Sequence, residues 1–349
     1  MRVQVSPSAP EKVMKLPKIP LIVIVGPTAT GKSDLAVRIA RSMKDPRGKP
    51  RGEVISADSR QVYKGLDIGT GKITKREMKG VPHHLLDVAD PRIPANSPRR
   101  FSVETWRKAA AKAITEINAR GHVPIICGGT GFYIEALVDG VILPEVPPNK
   151  ILRAKLSKKP VAELFKMLKK LDPKRAQKML AGKNGDSQNP HRLMRAIEIA
   201  TALGKVPAIS KTSQSKSPYA PIFIGLTLPP KELKKKIAIR LKKRITIGMI
   251  AEARNLHKSP AKGGTGLSLK RMNELGLEYR YLARYLQSRQ SPADRKMLTE
   301  KIAAENWQYA RRQMAWFRRD KRIRWFDPAQ TSHIEKTVKN FLKKNSSEG

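Results

Sequence analysis

The stretch Pro20-Leu-Ile-Val-Ile-Val-Gly-Pro-Thr-Ala-Thr-Gly-Lys-Ser33 decides how the chain is read. Leu21 to Val25 form an apolar, mostly β-branched run of the kind found in a buried parallel strand. Gly26-Pro27-Thr28-Ala29-Thr30-Gly31-Lys32-Ser33 then fits the pattern G-x-x-x-x-G-K-[ST], and the run DLAVRIARSM continues at once with helical periodicity. Strand, glycine loop and helix in that order make a phosphate cradle. Loop N–H groups and a helix N-terminus point at an anion, Lys32 adds charge, and Ser33 can hold Mg²⁺. The motif predicts a di- or triphosphate ligand. It leaves the ligand's identity and the reaction open.

Working outward, Glu53 to Ala57 reads as a second strand that ends in Asp58-Ser59-Arg60-Gln61. A carboxylate at the C-terminal end of such a strand faces the ligand crevice of an open α/β sheet, although an aspartate there also suits a turn. A loop is expected over 61–72 and a third strand around Leu85–Val88, with Asp87 and Asp90 at its end. His83 and His84 have no spaced partner and are expected to pack or hydrogen-bond rather than bind metal. Phe101 to Arg120 is an amphipathic helix closed by Gly121. VPIIC (123–127) is a fourth strand, and Gly128-Gly129-Thr130-Gly131 turns it into another helix.

The repeats predict a P-loop NTPase-like α/β fold, a parallel sheet flanked by helices. From the Pro-rich PEVPPNK (144–150) the strand signal stops and helical periodicity takes over. The predicted organisation is a disordered extension over 1–18, a core formed by 19–145 and 218–349, and an all-helical insertion over 146–217, in which KTSQSKSP is an exposed loop. The core resumes as a strand at Ile222–Leu228. A long helix opened by Pro229-Pro230 follows, with Leu233, Ile237, Leu241 and Ile245 on its apolar stripe and Arg240 and Arg244 flanking it, as on a solvated face. Gly263-Gly264-Thr265-Gly266 reads as a turn, since no strand precedes it and no lysine follows. Residues 270–286 and 293–319 read as helices, 322–326 as a short strand, and the tail as one more helix. Between Arg311 and Arg324 seven basic residues are interleaved with Trp316 and Phe317, a mixture that suits RNA, although Trp307, Met314 and Phe317 also fit a buried face.

Composition sets bounds. The 349 residues carry 71 Lys+Arg against 29 Asp+Glu, a net charge of +42, which draws polyanions, nucleic acid first, or reflects a generally basic proteome. The single cysteine, Cys127, excludes a disulfide framework and a Cys-rich zinc site. No apolar stretch reads as a signal peptide or a membrane span, so a cytoplasmic protein without membrane contact is expected.

GPTATGKS (26–33), ISADSRQVYKGLDIGTGK (55–72), VPHHLLDVADP (81–91), GGTGFYIEALVDG (128–140), NPHRLMRAIEI (189–199), LGLEYRYL (275–282) and ARRQMAWFR (310–318), in this order, resemble the tRNA dimethylallyltransferase (tRNA isopentenyltransferase) family over roughly residues 20–326. The resemblance implies transfer of a dimethylallyl group from dimethylallyl diphosphate to the exocyclic amine of tRNA adenosine 37, next to the anticodon, with Mg²⁺ as cofactor and a monomeric enzyme. It implies Asp58 as the base, Thr130 beside the amine, and Lys32 and Arg240 on the diphosphate. The P-loop residues Gly26 to Ser33 would hold that diphosphate. tRNA contacts are implied at Asp58, Ser59, Arg60, Gln61, Thr130, Arg153, His191, Arg192, Leu193, Met194, Arg195, Arg271 and Arg280, with the insertion gripping the anticodon stem-loop. Gly71 stands where the family pattern has Ala, a departure expected to change little, and the family's eukaryotic zinc finger is excluded by the cysteine count. Two competing readings share the P-loop: an adenylate isopentenyltransferase acting on free AMP, ADP or ATP, and a small-molecule kinase. A non-catalytic RNA-binding protein is disfavoured by the intact Lys32, Asp58 and Thr130.

Overall fold

The computed structural model describes residues 18–94, 97, 99–142, 144–182, 185–208 and 217–346. The expectation of a disordered lead-in over 1–18 lies, except for Lys18, outside the described residues, as does most of the KTSQSKSP loop. Six strands alternate with fourteen helices among the described residues: β1 (Ile19–Val25), α1 (Lys32–Ser42), β2 (Gly52–Ser56), the single turn α2 (Lys75–Met78), β3 (His83–His84), α3 (Val103–Ala119), β4 (Val123–Cys127), α4 (Gly131–Val138), α5 (Lys150–Leu156), α6 (Val161–Leu171), α7 (Pro173–Ala181), α8 (Pro190–Leu203), β5 (Tyr219–Leu226), α9 (Pro230–Thr246), α10 (Met249–His257), α11 (Leu269–Leu275), α12 (Leu277–Gln287), α13 (Pro292–Phe317), β6 (Ile323–Phe326) and α14 (Thr331–Ser346). The strands form one sheet in the order β3-β2-β4-β1-β5-β6, parallel throughout. Helices cover both faces, which is why Leu21 to Val25 are all fully buried and the strand shows no alternation.

Several boundaries differ from the sequence reading. The third strand is His83–His84, not Leu85–Val88, because Leu85 and Asp87 take left-handed φ values of 62° and 56° that no strand accommodates. The fifth strand is Tyr219–Leu226, beginning earlier than expected because its residues from Tyr219 to Gly225 pair with β1 from Ile19 on. The expected helix over 270–286 breaks at Gly276, where the N–H of Gly276 returns to the Asn273 carbonyl (3.2 Å) and Leu277 is left-handed. Arg244 is buried rather than solvated: its Nε donates to the Ile68 carbonyl (2.7 Å) and its Nη1 to Glu278 (3.0 Å). Gly263 to Gly266 are a turn, as read. No described helix is long and apolar enough to cross a membrane.

Helices α5 to α8 pack on an apolar cluster separate from the sheet's own, built on Leu156, Leu164, Leu168, Met179, Leu193 and Ile197. At the N-terminal edge of the sheet, Glu53 is 3 % exposed and takes three partners: His84 Nε2 (2.6 Å), His122 Nδ1 (2.8 Å) and Arg120 Nη2 (3.0 Å). The two histidines thus hydrogen-bond, and His83 Nδ1 lies 2.9 Å from the Val81 carbonyl. Burial alone would raise the Glu53 carboxyl, but the bonds from His84, Arg120 and His122 outweigh it and hold it below the usual carboxylate range. A depressed carboxyl stabilises the fold above its unfolded pKa, and that contribution disappears as the pH falls through its folded value. Glu53→Gln is expected to cost about 2 kcal/mol at pH 7, the scale of a hydrogen bond to a charged group, a deficit that narrows in acid, where Glu53 itself takes a proton. Denaturant melts of both proteins at pH 7 and in the acid range check this.

Candidate active site

The site follows from the register of three strands. Ser56 of β2 and Ile24 of β1 both pair with Cys127 of β4, so the three strands end level. Their continuations stay tied: the Ala57 N–H donates to the Cys127 carbonyl (2.9 Å), Gly128 N–H to Ile24 (3.2 Å) and Thr130 N–H to Ala57 (3.0 Å). The phosphate loop, Asp58 and Thr130 therefore meet at the C-terminal edge of the sheet, where ligands of open α/β sheets bind. Thr28 to Ser33 of the loop and Asp58 line one cleft of about 700 Å³ together with Gln61, Gly71, Gly128, Gly129 and Arg240; Thr130 follows directly on that lining.

The loop is folded on itself. Thr30 Oγ1 (2.9 Å) and Lys32 Nζ (2.6 Å) both donate to the Pro27 carbonyl. Gly26 has φ 141°, and a Cβ on it would run into the Leu226 carbonyl of β5, so only glycine fits. Burial lowers the Lys32 ammonium from its ordinary value to about 8, with Arg240 pushing it the same way and Cys127 and Asp58 opposing. The Arg240 guanidinium donates to Thr28 Oγ1 (3.1 Å) and the Gly71 carbonyl (3.0 Å) and makes no ion pair with any described residue. Burial, and then Arg244 one turn on, lower its pKa too. Two cations without a carboxylate partner sit beside a nest of N–H groups, an arrangement that calls for an anion of more than one charge.

Asp58 divides its carboxylate. Oδ1 accepts the N–H groups of Arg60 (2.8 Å) and Gln61 (3.2 Å), the turn role that its position suggested. Oδ2 takes no hydrogen bond from a described residue, and Asp58 lines the cleft. Thr130 Oγ1 accepts the Ser59 N–H (3.0 Å), which locks the two turns together. Gln61 donates to the Gly71 carbonyl (3.3 Å). This is a fixed carboxylate with a free oxygen, in the same cleft as an anion cradle.

Of the other residues named from the resemblance, Arg60 and Arg280 come together: both guanidiniums approach Gly276, and neither side chain pairs with a described residue. Ser33, in the first turn of α1, lines the cleft. The residues named on α5 and α8 bond mainly among their neighbours. Arg153 forks onto Glu198 (2.7 and 2.7 Å), Arg195 reaches the same carboxylate (3.4 Å), and Arg192 pairs with Asp186. His191 is exposed and Met194 half-buried, whereas Leu193 is fully buried in the insertion's core. Arg271 is buried as well, donating to the Pro91 carbonyl (2.9 Å) and Glu274 (3.2 Å), away from the cleft lining. In the stretch 311–324 the aromatic residues pack while Arg311, Arg312, Arg318, Arg319, Lys321 and Arg324 stay exposed: Phe317 is buried, Trp316 meets Phe132 edge-on at 6.1 Å, and Arg319 stacks on Trp316 at 4.2 Å.

Sequence reading missed the contribution of α13. Gln313 accepts the Thr28 N–H (2.8 Å) and donates to the Gly129 carbonyl (3.0 Å), bridging the phosphate loop to the Gly-Gly-Thr turn. Asn306 and Tyr309, on the same helix, also line the cleft. Burial pushes the Tyr309 hydroxyl well above its ordinary pKa. The available signal was that Asn306 and Gln313 interrupt the buried stripe Leu298, Ile302, Ala310, Phe317; polar residues on a core face need partners.

Comparison with known proteins agrees with this geometry. Residues 61–320 match the IPP transferase family, and residues 19–97 match the isopentenyl transferase family. A tRNA dimethylallyltransferase of Carboxydothermus hydrogenoformans is 36 % identical over 328 residues, covering 92 % of this chain and 96 % of the relative. A second from Treponema denticola is 39 % identical over 299 residues, 85 % and 91 % of the two chains. The crystal structure of a tRNA isopentenylpyrophosphate transferase from Bacillus halodurans superposes with TM-score 0.64 at 31 % identity, covering 95 % of this chain and 99 % of that one. A eukaryotic dimethylallyltransferase acting on tRNA shares the fold at TM-score 0.61 and 22 % identity, with 90 % and 75 % covered. Matched over most of its length by sequence and by fold, the chain belongs to the IPP transferase family, the tRNA dimethylallyltransferases.

Proposed function

We propose that this prenyltransferase moves the dimethylallyl group of dimethylallyl diphosphate to the exocyclic amine of adenosine 37 of tRNA, in the anticodon stem-loop. The observation that carries the reading is the cleft shared by two unpaired cations, Lys32 and Arg240, and the free oxygen of Asp58. The P-loop amides, Lys32 and Arg240 bind the diphosphate and stabilise the charge that it gains on leaving. The amine lone pair of the extruded base attacks the allylic C1 as the C1–O bond breaks. Asp58 Oδ2 takes the amine proton, with Thr130 holding the turn in place.

The residues fit Mg²⁺ as a cofactor. Among those described no three His, Cys, Asp or Glu side chains converge as ligands, and Mg²⁺ bound to a diphosphate needs only one or two protein oxygens, its shell completed by phosphate oxygens and water. Ser33 would hold it, and the ion would neutralise charge on the leaving group.

The free guanidiniums of Arg60 and Arg280, beside the Asp58 turn, are placed for a phosphate flanking the extruded base. Arg153, His191, Arg192, Met194 and Arg195 on the insertion would grip the stem, while Leu193 and Arg271 support it from within. A monomer in the cytoplasm completes the reading. Relatives named for tRNA favour it over the free-nucleotide alternative, and the kinase alternative has no role for Asp58 beside Thr130. Incubation with labelled dimethylallyl diphosphate and either tRNA or AMP, followed by nucleoside analysis, tests it: label in isopentenyladenosine of tRNA supports the reading, and label in AMP alone overturns it.

The ammonium of Lys32 gives a further check. Its charge is lost above about pH 8 in the free enzyme, so kcat/KM for the donor is expected to fall from that pH upward. Lys32→Arg, charged throughout, should have a lower plateau and lack that limb. pH profiles of donor kcat/KM decide.

A further inference from the structure

Arg240 is aimed by two oxygens, Thr28 Oγ1 and the Gly71 carbonyl. The first belongs to the phosphate loop. The second belongs to the irregular segment 65–72, which has no sheet or helix to fix it. That segment is held from below by α10. The Glu252 carboxylate accepts three successive N–H groups, those of Asp67 (3.0 Å), Ile68 (2.6 Å) and Gly69 (2.9 Å), and also the Tyr279 hydroxyl (2.7 Å). Inside the segment, Gly71 N–H donates to the Ile68 carbonyl (3.1 Å) and Lys72 N–H to Asp67 (2.9 Å). The three anchored residues thus carry Gly71 directly. Gly71 has φ 61°, and a Cβ on it would occupy the place of Arg240 Nη2. Gly71 is therefore not neutral here: its lack of a Cβ lets the guanidinium lie against its own carbonyl.

We propose that Glu252 is a positioning residue that sets the donor-binding geometry of Arg240 through the segment 65–72. The proposal rests on the reading of Arg240 as a diphosphate ligand. A carboxylate suits the post because it only accepts. An amide of the same shape would turn one NH₂ toward N–H donors, and at least one of the three bonds would be lost. Glu252 touches no cleft surface itself, so its effect on the donor is indirect.

The test is steady-state kinetics of the full chain with donor and tRNA varied separately. Glu252→Gln is expected to raise the donor KM about tenfold while the tRNA KM stays within about twofold, since a small misplacement of a binding group is costly. The double variant Glu252→Gln, Arg240→Ala should match Arg240→Ala alone, because Glu252 acts through that side chain. Additive losses, or an equal rise in the tRNA KM, overturn the proposal. If Glu252→Gln does not fold, Gly71→Ala, which leaves the carboxylate anchor intact, should give the same donor KM rise; an unchanged KM overturns it. If Arg240→Ala itself leaves the donor KM unchanged, it is the diphosphate reading that fails.

Discussion

Asp58→Asn should lower single-turnover prenyl transfer by about 10²–10⁴-fold while tRNA affinity moves by less than about twofold. The substitution is chosen for shape. The Asn oxygen can still accept the Arg60 and Gln61 N–H groups that Oδ1 accepts now, so the turn that carries Ser59 to Thr130 stays closed. What faces the cleft is then an NH₂ group, a donor that cannot receive a proton. An adenine amine is a weak nucleophile because its lone pair is delocalised into the ring, and it becomes effective as its proton leaves. Filter binding of tRNA beside rapid-quench transfer separates the two effects. Matching losses in both would mean that Asp58 holds RNA and takes no proton.

Affinity for tRNA should fall by about 10³-fold or more between 50 and 200 mM salt, the response of a protein that neutralises six or more phosphates. The net charge of +42 alone does not require this, because many basic side chains are spent internally: Arg153 on Glu198, Arg244 on Glu278, Arg322 on Asp139 and Asp320. The argument rests on cations left over in and around the cleft, foremost Arg60, which lines it, and Arg280, which approaches Gly276 beside Arg60. Donor affinity, governed by one diphosphate, should change far less over the same range. Equilibrium titrations at four salt concentrations measure both slopes. A flat tRNA response would mean that the charge serves something other than the nucleic acid backbone.

The fold was readable where the signal is local. The run 20–33 carries its own strand, turn and helix, and Asp58 and Thr130 each follow a buried strand whose end is marked by a break in hydrophobicity. Register then places them side by side. The third strand was not readable, because left-handed Leu85 and Asp87 interrupt an apolar run that looks extended. Nor was the burial of Arg244, which depends on Glu278 packing from another helix. Gln313 and Glu252 escaped for a related reason: their partners lie 285 and up to 185 residues away. No periodicity within one helix reveals which distant amide it will meet. The aromatic residues near 316 illustrate the reverse, a composition suited to stacking bases that the fold uses mainly for its own packing.

The Gln313 bridge also orders events during synthesis. A chain emerging from the ribosome can form the glycine turn early, yet the turn stays unbraced until Gln313 of α13, 285 residues on from Thr28, has been made and docked. Truncation before that helix removes both Gln313 bonds, to the Thr28 N–H and the Gly129 carbonyl, and leaves the cradle without this brace.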